Sequence, residues 1–207
     1  RPCIMCYQCL SQSMMGEPLR CAVNADVGFE KDNLLAPADK SRKVVVVGGG
    51  VGTAVAFAVA QTLKEAGNRI IIISGARDQS FVILEDDLRE ISDELIMATD
   101  DGSYGVKGFV TELLKDLYRK GEQIDRVIAA GPLPMMKLIA DITREHGTPT
   151  IVSLNPIMVD GIGMCGGCRA LVNGKIVFVC VDGPEFDAHQ VDFDSLMRRN
   201  NAYRDIE

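Results

Sequence analysis

From residue 42 onward, short runs of β-branched apolar residues alternate with longer amphipathic stretches. This alternation is typical of parallel strands joined by crossover helices, because strands that are buried on both faces are apolar throughout. The pattern predicts five strands, at 43–47, 69–73, 94–98, 125–129 and 149–154. It predicts helices at 53–66, 80–91, 106–120 and 134–146. Three of these helices stop at a glycine suited to a left-handed C-cap, namely Gly67, Gly121 and Gly147.

Strands and helices in this order predict an α/β fold with a doubly wound, parallel, five-stranded sheet. Ligands of such sheets bind at the carboxyl ends of the strands. We expect this nucleotide-binding domain to cover residues 42–154. A cysteine-rich leader, 1–41, precedes it, and a glycine-rich lobe and tail, 155–207, follow it.

The first predicted strand runs into Gly48-Gly49-Gly50-Val51-Gly52-Thr53, directly before the first predicted helix. A backbone without side chains approaches a pyrophosphate closely, and the helix start supplies free N–H groups and a positive dipole end. The motif therefore predicts a dinucleotide-binding loop. A tight turn without a ligand is the alternative interpretation.

Two further segments are candidates for dinucleotide contacts. Arg77 follows the second strand, where it could face an adenosine phosphate or simply lie in solvent. Gly131 and Pro132 follow the fourth strand, where a nicotinamide could be seated. Thr53 replaces the third glycine of the common fingerprint and no acid closes the second strand, so NAD(H) against NADP(H) stays open.

The chain has seven cysteines, which fall into two tight groups near its two ends. An odd number cannot pair completely in disulfides, and the selective placement indicates metal ligands. Thiols of this kind favour a reducing compartment, so we expect a cytoplasmic protein. A net charge of -7 without long basic runs argues against nucleic-acid partners and anionic membrane surfaces. No apolar stretch reaches the length of a membrane span.

The C-terminal group contains Cys165, Cys168 and Cys180. Counting back by the plant-type 2Fe-2S spacing, C-x4-C-x2-C, places the fourth ligand at Asp160. A carboxylate can bind iron, and the neighbouring glycines let the backbone direct N–H groups at sulfur. A zinc site is the alternative.

The N-terminal group contains Cys3, Cys6, Cys9 and Cys21. Three thiols within seven residues are typical of a 4Fe-4S cluster, whose ligands crowd on one loop. Zinc, or reactive or structural thiols, remain the alternatives.

From about residue 48, the chain resembles the small electron-transfer subunit of NADH-dependent ferredoxin:NADP oxidoreductase, also described as the sulfide dehydrogenase small subunit. It is more distantly similar to the electron-transfer subunit of dihydroorotate dehydrogenase. The matching stretches are 48–54, 100–105, 131–136, 153–168 and 181–187. The resemblance implies a ferredoxin-reductase-type nucleotide domain, electron passage through FAD, and a 2Fe-2S cluster on Asp160, Cys165, Cys168 and Cys180. Aspartate at 160 favours the ferredoxin:NADP branch, because the dihydroorotate branch normally has cysteine there.

Residues 1–9, 21–24 and 43–50 resemble the segment that joins barrel and flavin domain in iron–sulfur members of the old yellow enzyme family. There the cysteines hold a 4Fe-4S cluster. We recognise neither that family's FMN barrel nor the FAD-binding domain of the other family. We therefore expect a fragment or a fusion, with FAD supplied by a missing domain or partner. A larger flavin and iron–sulfur oxidoreductase subunit is the expected partner, and ferredoxin is a further candidate.

Three functional hypotheses follow. The first is an electron-transfer oxidoreductase component that passes electrons between NAD(P)H and iron–sulfur clusters through a flavin, because a hydride carries two electrons and each cluster takes one. The second is a zinc-stabilised, non-catalytic nucleotide-binding module. The third is an inactive fragment. Neither of the two histidines has a nearby nucleophile pattern, so the sequence predicts no acid–base catalytic residue.

Overall fold

The computed structural model describes residues 40–201. The predicted 4Fe-4S ligands Cys3, Cys6, Cys9 and Cys21 lie outside this part of the chain. Within it, no helix is both long and apolar enough to cross a membrane.

The described chain contains nine strands and six α-helices. The strands are β1 (Lys43–Gly49), β2 (Arg69–Ala76), β3 (Glu94–Thr99), β4 (Val106–Lys107), β5 (Arg126–Ala130), β6 (Thr150–Ser153), β7 (Arg169–Val172), β8 (Lys175–Phe178) and β9 (Glu185–Asp187). The helices are α1 (Gly52–Glu65), α2 (Glu85–Ile91), α3 (Val110–Arg119), α4 (Leu133–Glu145), α5 (Val179–Asp182) and α6 (Phe193–Asn201). Two 3₁₀ turns occupy Gln79–Phe81 and Ala188–Gln190.

Seven of these strands form one sheet in the order β4-β3-β2-β1-β5-β6-β9. Its five central strands are the predicted ones, and all are parallel. The short β4 extends one edge in parallel, whereas β9 pairs antiparallel with β6 at the other edge. Strands β7 and β8 form a separate hairpin. The sheet therefore confirms the parallel α/β prediction and adds one strand at each edge.

Alternate residues of the central strands pack on opposite faces of the sheet. One face carries a core with side chains from α3, α4 and α6, and the other carries a smaller core under α1 and α2. Val45 and Ile71 belong to the first core, while Val44 and Ile70 belong to the second. Helices on both faces match a doubly wound sheet.

Two predicted helices are shorter than the hydrophobic pattern suggested. The stretch 106–120 begins with the two-residue β4, and α3 starts only at Val110, after Gly108 with φ +128°. The stretch 80–91 divides into a 3₁₀ turn and α2. Leu84 separates them with a left-handed φ of 58°, and the Asp78 carboxylate accepts a hydrogen bond from the Ser80 N–H. Local turn geometry overrides the helical period at both places.

Candidate functional site

A cavity of about 640 Å³ opens at the carboxyl ends of the parallel strands. The end of β1, the end of β2 and the starts of α1, α3 and α4 surround it. Its walls are mostly apolar, with Arg77 and Asp100 as the charged residues among those that line it. This is the edge at which an open parallel sheet binds its ligands.

The glycine loop forms one wall of the cavity. Gly49, Gly50 and Val51 line the space, and Val51 is 84% exposed. Gly50 has φ +56°, and its N–H donates to the Gly75 carbonyl at 2.9 Å. The loop therefore turns directly into α1 and leaves its backbone open to a ligand.

Gly52 and Thr53 lie behind that wall. A Cβ on Gly52 would lie 2.2 Å from the Ala130 carbonyl oxygen, so only glycine lets α1 begin this close to β5. Thr53 is 1% exposed, and its hydroxyl lies 3.2 Å from the Ser74 hydroxyl. Gly48 is also close to its neighbours, since a Cβ there would lie 2.8 Å from the Thr53 Cα. These residues shape the loop from behind.

Arg77 and Pro132 also line the cavity, as the sequence led us to expect, although their ligand contacts stay a prediction. The Arg77 guanidinium lies 5.6 Å from the centre of the Phe81 ring, a cation–π distance. Gly131 lies just behind the wall, where a Cβ would meet the Met135 methyl group at 2.7 Å. Met135 fills the space between Gly49 and Gly131 and itself lines the cavity.

The loop after β3 supports the same edge. The Thr99 hydroxyl donates to the Tyr104 carbonyl at 2.7 Å and accepts from the Tyr104 N–H at 3.0 Å. The Tyr104 hydroxyl donates to Glu85 at 2.9 Å. This hydrogen bond, and after it the one from Arg89, holds the pKa of Glu85 below its ordinary value. The same bond to Glu85 is the largest cause of the raised pKa of Tyr104. The loop thereby positions Asp100 at the cavity.

Sequence reasoning missed several lining residues, among them Phe109, Thr111 and Met135. Phe109 and Thr111 belong to the start of α3, which the predicted helix placed four residues too early. Met135 is apolar, and the sequence pattern does not distinguish it from a core residue. The available signal was positional, because any helix that follows a parallel strand begins at the ligand-binding edge.

The other candidate site lies between the end of β6 and α5, where the structure brings Cys168 and Cys180 together. Their Sγ atoms lie 3.3 Å apart, and the Cys180 N–H points at the Cys168 Sγ at 3.5 Å. Cys168 is buried. Two sulfur ligands of one tetrahedral metal, each about 2.3 Å from it, lie about 3.8 Å apart. This pair is therefore close to the spacing that one iron requires.

Asp160 and Cys165 form a second, more exposed pair. The Asp160 carboxylate accepts the Ile162 N–H at 3.0 Å and the Cys165 N–H at 2.5 Å. The Ile162 bond is the main reason that the pKa of Asp160 is lowered, and the Cys165 thiol adds to it. The Gly167 N–H points at the Cys165 Sγ at 3.3 Å. N–H groups thus face the sulfur of both pairs.

Among residues 40–201, no three His, Cys, Asp or Glu side chains converge on one point as ligands of a single metal ion. A 2Fe-2S cluster instead needs two ligand pairs, one for each iron. Cys168 with Cys180, and Asp160 with Cys165, fit that requirement in donor type and in grouping. Gly161, Gly163 and Gly166 have φ values of 71°, 81° and 64°, which lets the loop carry both pairs.

Apolar side chains are exposed around the four candidate ligands. Val159 and Met164 are 78% and 80% exposed, and Ile162 is 55% exposed. Such a concentration of exposed apolar side chains is more typical of an interaction surface than of a solvated loop.

The described chain is thus a parallel α/β domain with a glycine-lined cavity, followed after β6 by a segment that carries three cysteines. Residues 155–192 match the sequence model of the iron–sulfur cluster binding domain of dihydroorotate dehydrogenase B. The homolog of the dihydroorotate dehydrogenase B (NAD(+)) electron transfer subunit from Thermotoga maritima is 51% identical over 164 residues, which are 79% of this chain and 57% of that protein. The probable subunit from Methanocaldococcus jannaschii is 37% identical over 73% of this chain and 57% of that protein.

Among solved structures, a chain of the NADH-dependent reduced ferredoxin-NADP oxidoreductase matches with a TM-score of 0.72 and 48% identity. The match covers 82% of this chain and 61% of that one. The chain is a homologue of dihydroorotate dehydrogenase B electron-transfer subunits. It spans a little under two thirds of the length of these relatives.

Proposed function

We propose that the chain is an electron-transfer component that passes electrons between NAD(P)H and iron–sulfur clusters, through a flavin carried by another domain or partner. The observation that carries the proposal is the 3.3 Å pairing of Cys168 and Cys180 inside the segment that matches an iron–sulfur family model. The same sheet carries a glycine-lined cavity of about 640 Å³ at its carboxyl edge.

The cavity binds and orients the dinucleotide in this proposal. The free N–H groups at the start of α1 face the pyrophosphate, with Gly48, Gly49, Gly50, Val51, Gly52 and Thr53 as the loop that makes the approach possible. Arg77 contacts the adenosine half of the dinucleotide, and Gly131 and Pro132 contact the nicotinamide half. Apolar walls exclude water around the bound ring.

The lobe holds a 2Fe-2S cluster on Asp160, Cys165, Cys168 and Cys180. Bound there, the cluster would accept and release single electrons. The chain's own contribution is the pairing of its ligands and the N–H groups directed at sulfur, which stabilise the reduced state. The leader cysteines Cys3, Cys6, Cys9 and Cys21 are proposed to bind a 4Fe-4S cluster, from their spacing alone.

The proposal includes a larger flavin and iron–sulfur subunit as partner, with FAD on that partner or on a further domain, and ferredoxin as a candidate acceptor. The exposed Val159, Ile162 and Met164 support a protein contact at the lobe. Asp160 favours the ferredoxin:NADP type over the dihydroorotate type, because a carboxylate stands where the latter resemblance expects a thiol.

Anaerobic purification tests the proposal. We expect a brown protein that contains iron and acid-labile sulfide, shows an EPR signal of a reduced 2Fe-2S cluster after dithionite, and binds NADH or NADPH. A protein that contains zinc and no acid-labile sulfide would contradict the iron–sulfur assignment. A protein that contains iron and sulfide but binds neither nucleotide would contradict the cavity assignment alone.

A further inference from the structure

The Thr111 side chain is buried at the cavity without a hydrogen-bond partner among the described residues. Thr111 is 6% exposed and lines the cavity. It is the second residue of α3, a ten-residue helix. By contrast, the buried hydroxyls of Thr53, Thr99, Thr143 and Thr150 all have hydrogen-bond partners within the chain.

An unpaired buried hydroxyl lowers stability, because its desolvation is not offset by a hydrogen bond. A valine of nearly the same shape would avoid that cost. A threonine at the cavity wall is therefore explained most simply by a partner that the cavity receives from outside.

The start of α3 provides further donors at the same place. Phe109, the N-cap residue, makes no side-chain cap, so the first N–H groups of the helix, on Val110 and Thr111, point out of its end. They add the positive end of the helix dipole. Hydroxyl, N–H groups and dipole together favour an anion.

Gly75 places this helix start opposite the glycine loop. Its carbonyl accepts the Gly50 N–H at 2.9 Å, and a Cβ on Gly75 would lie 2.4 Å from a Val110 methyl group. The start of α1 and the start of α3 therefore flank the same residue of β2. A ligand with two adjacent anionic groups could contact both helix starts at once.

We propose that Thr111 and the first N–H groups of α3 bind one phosphate of the dinucleotide, and that the glycine loop binds the other. The assignment rests on the proposed nucleotide function and adds to it a phosphate-binding residue outside the glycine motif. Thr111 is a binding residue in this assignment, with no part in electron transfer.

The test compares Thr111→Val, which keeps the shape and removes the hydroxyl, with Thr111→Ser, which keeps the hydroxyl. Thr150→Val is the matched control, because it removes a buried hydroxyl far from the cavity, at the start of β6. Calorimetry of the full chain with NADH and with ADP-ribose measures affinity. Phosphorus NMR of bound NADH reports each phosphate separately.

We expect Thr111→Val to weaken both ligands about tenfold, the loss of one hydrogen bond to a charged group. Thr111→Ser should stay within about twofold of wild type, and Thr150→Val should not change affinity. Thr111→Val should shift mainly one of the two phosphorus resonances. Its ligand-free thermal midpoint should equal or exceed that of wild type, whereas a structural hydroxyl would leave it lower.

Two results would overturn the assignment in different ways. If the wild-type chain binds NADH and Thr111→Val binds it equally well, the phosphate assignment is wrong and the nucleotide function stands. If the wild-type chain binds none of NADH, NADPH and ADP-ribose, the nucleotide function itself fails, and this assignment fails with it.

Discussion

Asp160 is the one carboxylate among the four candidate ligands, of which the other three are thiols. Its two hydrogen bonds to the backbone hold it in place beside Cys165. Carboxylate is a harder ligand than thiolate and donates less electron density to iron. The residue therefore bears on the reduction potential of the proposed cluster as well as on its binding. Ligand type is among the determinants of such potentials.

Replacing Asp160 separates these two effects. We expect Asp160→Cys to keep the 2Fe-2S EPR signal and to lower its midpoint potential, because a fourth thiolate stabilises the oxidised cluster. Asp160→Ala should lose the signal. A redox titration followed by EPR measures both. Unchanged intensity and potential in Asp160→Ala would show that Asp160 is not a ligand.

Asp93 illustrates a structural carboxylate. Its carboxylate accepts hydrogen bonds from the Lys64 ammonium at 2.7 Å and from the Ile70 N–H at 2.7 Å, and so joins α1 to the start of β2. The Lys64 hydrogen bond is the largest cause of a pKa below the ordinary value of 3.8. A lowered pKa in the folded state means that the carboxylate stabilises the fold above its unfolded pKa, and that this contribution is lost as pH falls through the folded pKa.

We expect Asp93→Asn to reduce the free energy of unfolding by about 1 kcal/mol at pH 7, since it removes a charged hydrogen bond at a partly exposed site. The difference from wild type should shrink below about pH 4, where the unfolded carboxyl is protonated. Urea denaturation at both pH values measures it. Glu94→Gln, at an exposed position of β3, is the control and should change stability little. A difference that is independent of pH would contradict the electrostatic explanation.

At the scale of elements, the contact between α1 and the end of β5 determines how closely the glycine loop meets the sheet. Position 52 requires glycine for lack of space, because Ala130 backbone atoms lie where a Cβ would be. Position 50 favours glycine for its backbone conformation, because φ is +56° although no atom lies within 4 Å of an added Cβ. The two glycines are therefore expected to respond differently to alanine.

We predict that Gly52→Ala lowers the free energy of unfolding by about 2 kcal/mol or more, because α1 must move away from β5. Gly50→Ala should cost about 1 kcal/mol, the strain of a left-handed alanine. Urea denaturation of both variants ranks them. If Gly50→Ala were the more destabilising, backbone conformation rather than close packing would dominate in this loop.

The elements that sequence predicted well are those with long, regular patterns. Val44 to Val47 and Ile70 to Ile73 are fully apolar, as strands covered on both faces must be. Strands β4 and β9 were missed, because two or three residues cannot show a period and their pairing depends on distant strands. The left-handed Leu84 divides 80–91, and the sequence does not predict this break because leucine is not a turn-forming residue.

For the whole molecule, the sequence predicted only those parts of the two candidate sites that belong to a recognisable motif. The glycine loop and the cysteine spacing indicated both candidate sites. Neither motif indicates that Thr111 lines the cavity without a hydrogen-bond partner among residues 40–201. That fact depends on where α3 begins relative to Gly75. The pairing of Cys168 with Cys180 likewise depends on β7 and β8, since the Val179 N–H donates to the Cys168 carbonyl beside that hairpin.

The ligands proposed for the two sites differ in the number of electrons that they exchange, which leads to the last prediction. A dinucleotide delivers a hydride, and a 2Fe-2S cluster accepts one electron, so direct transfer between the two is unfavourable. We expect NADH alone to leave the visible absorbance of the cluster almost unchanged over a minute in protein shown by chromatography to contain no flavin. Added FAD should accelerate bleaching at least about tenfold. Anaerobic stopped-flow absorbance measures both rates, and dithionite, a one-electron reductant, is the control that bleaches the cluster without flavin. Rapid bleaching by NADH in flavin-free protein would contradict the requirement for a flavin. It would then place the complete electron path on this chain.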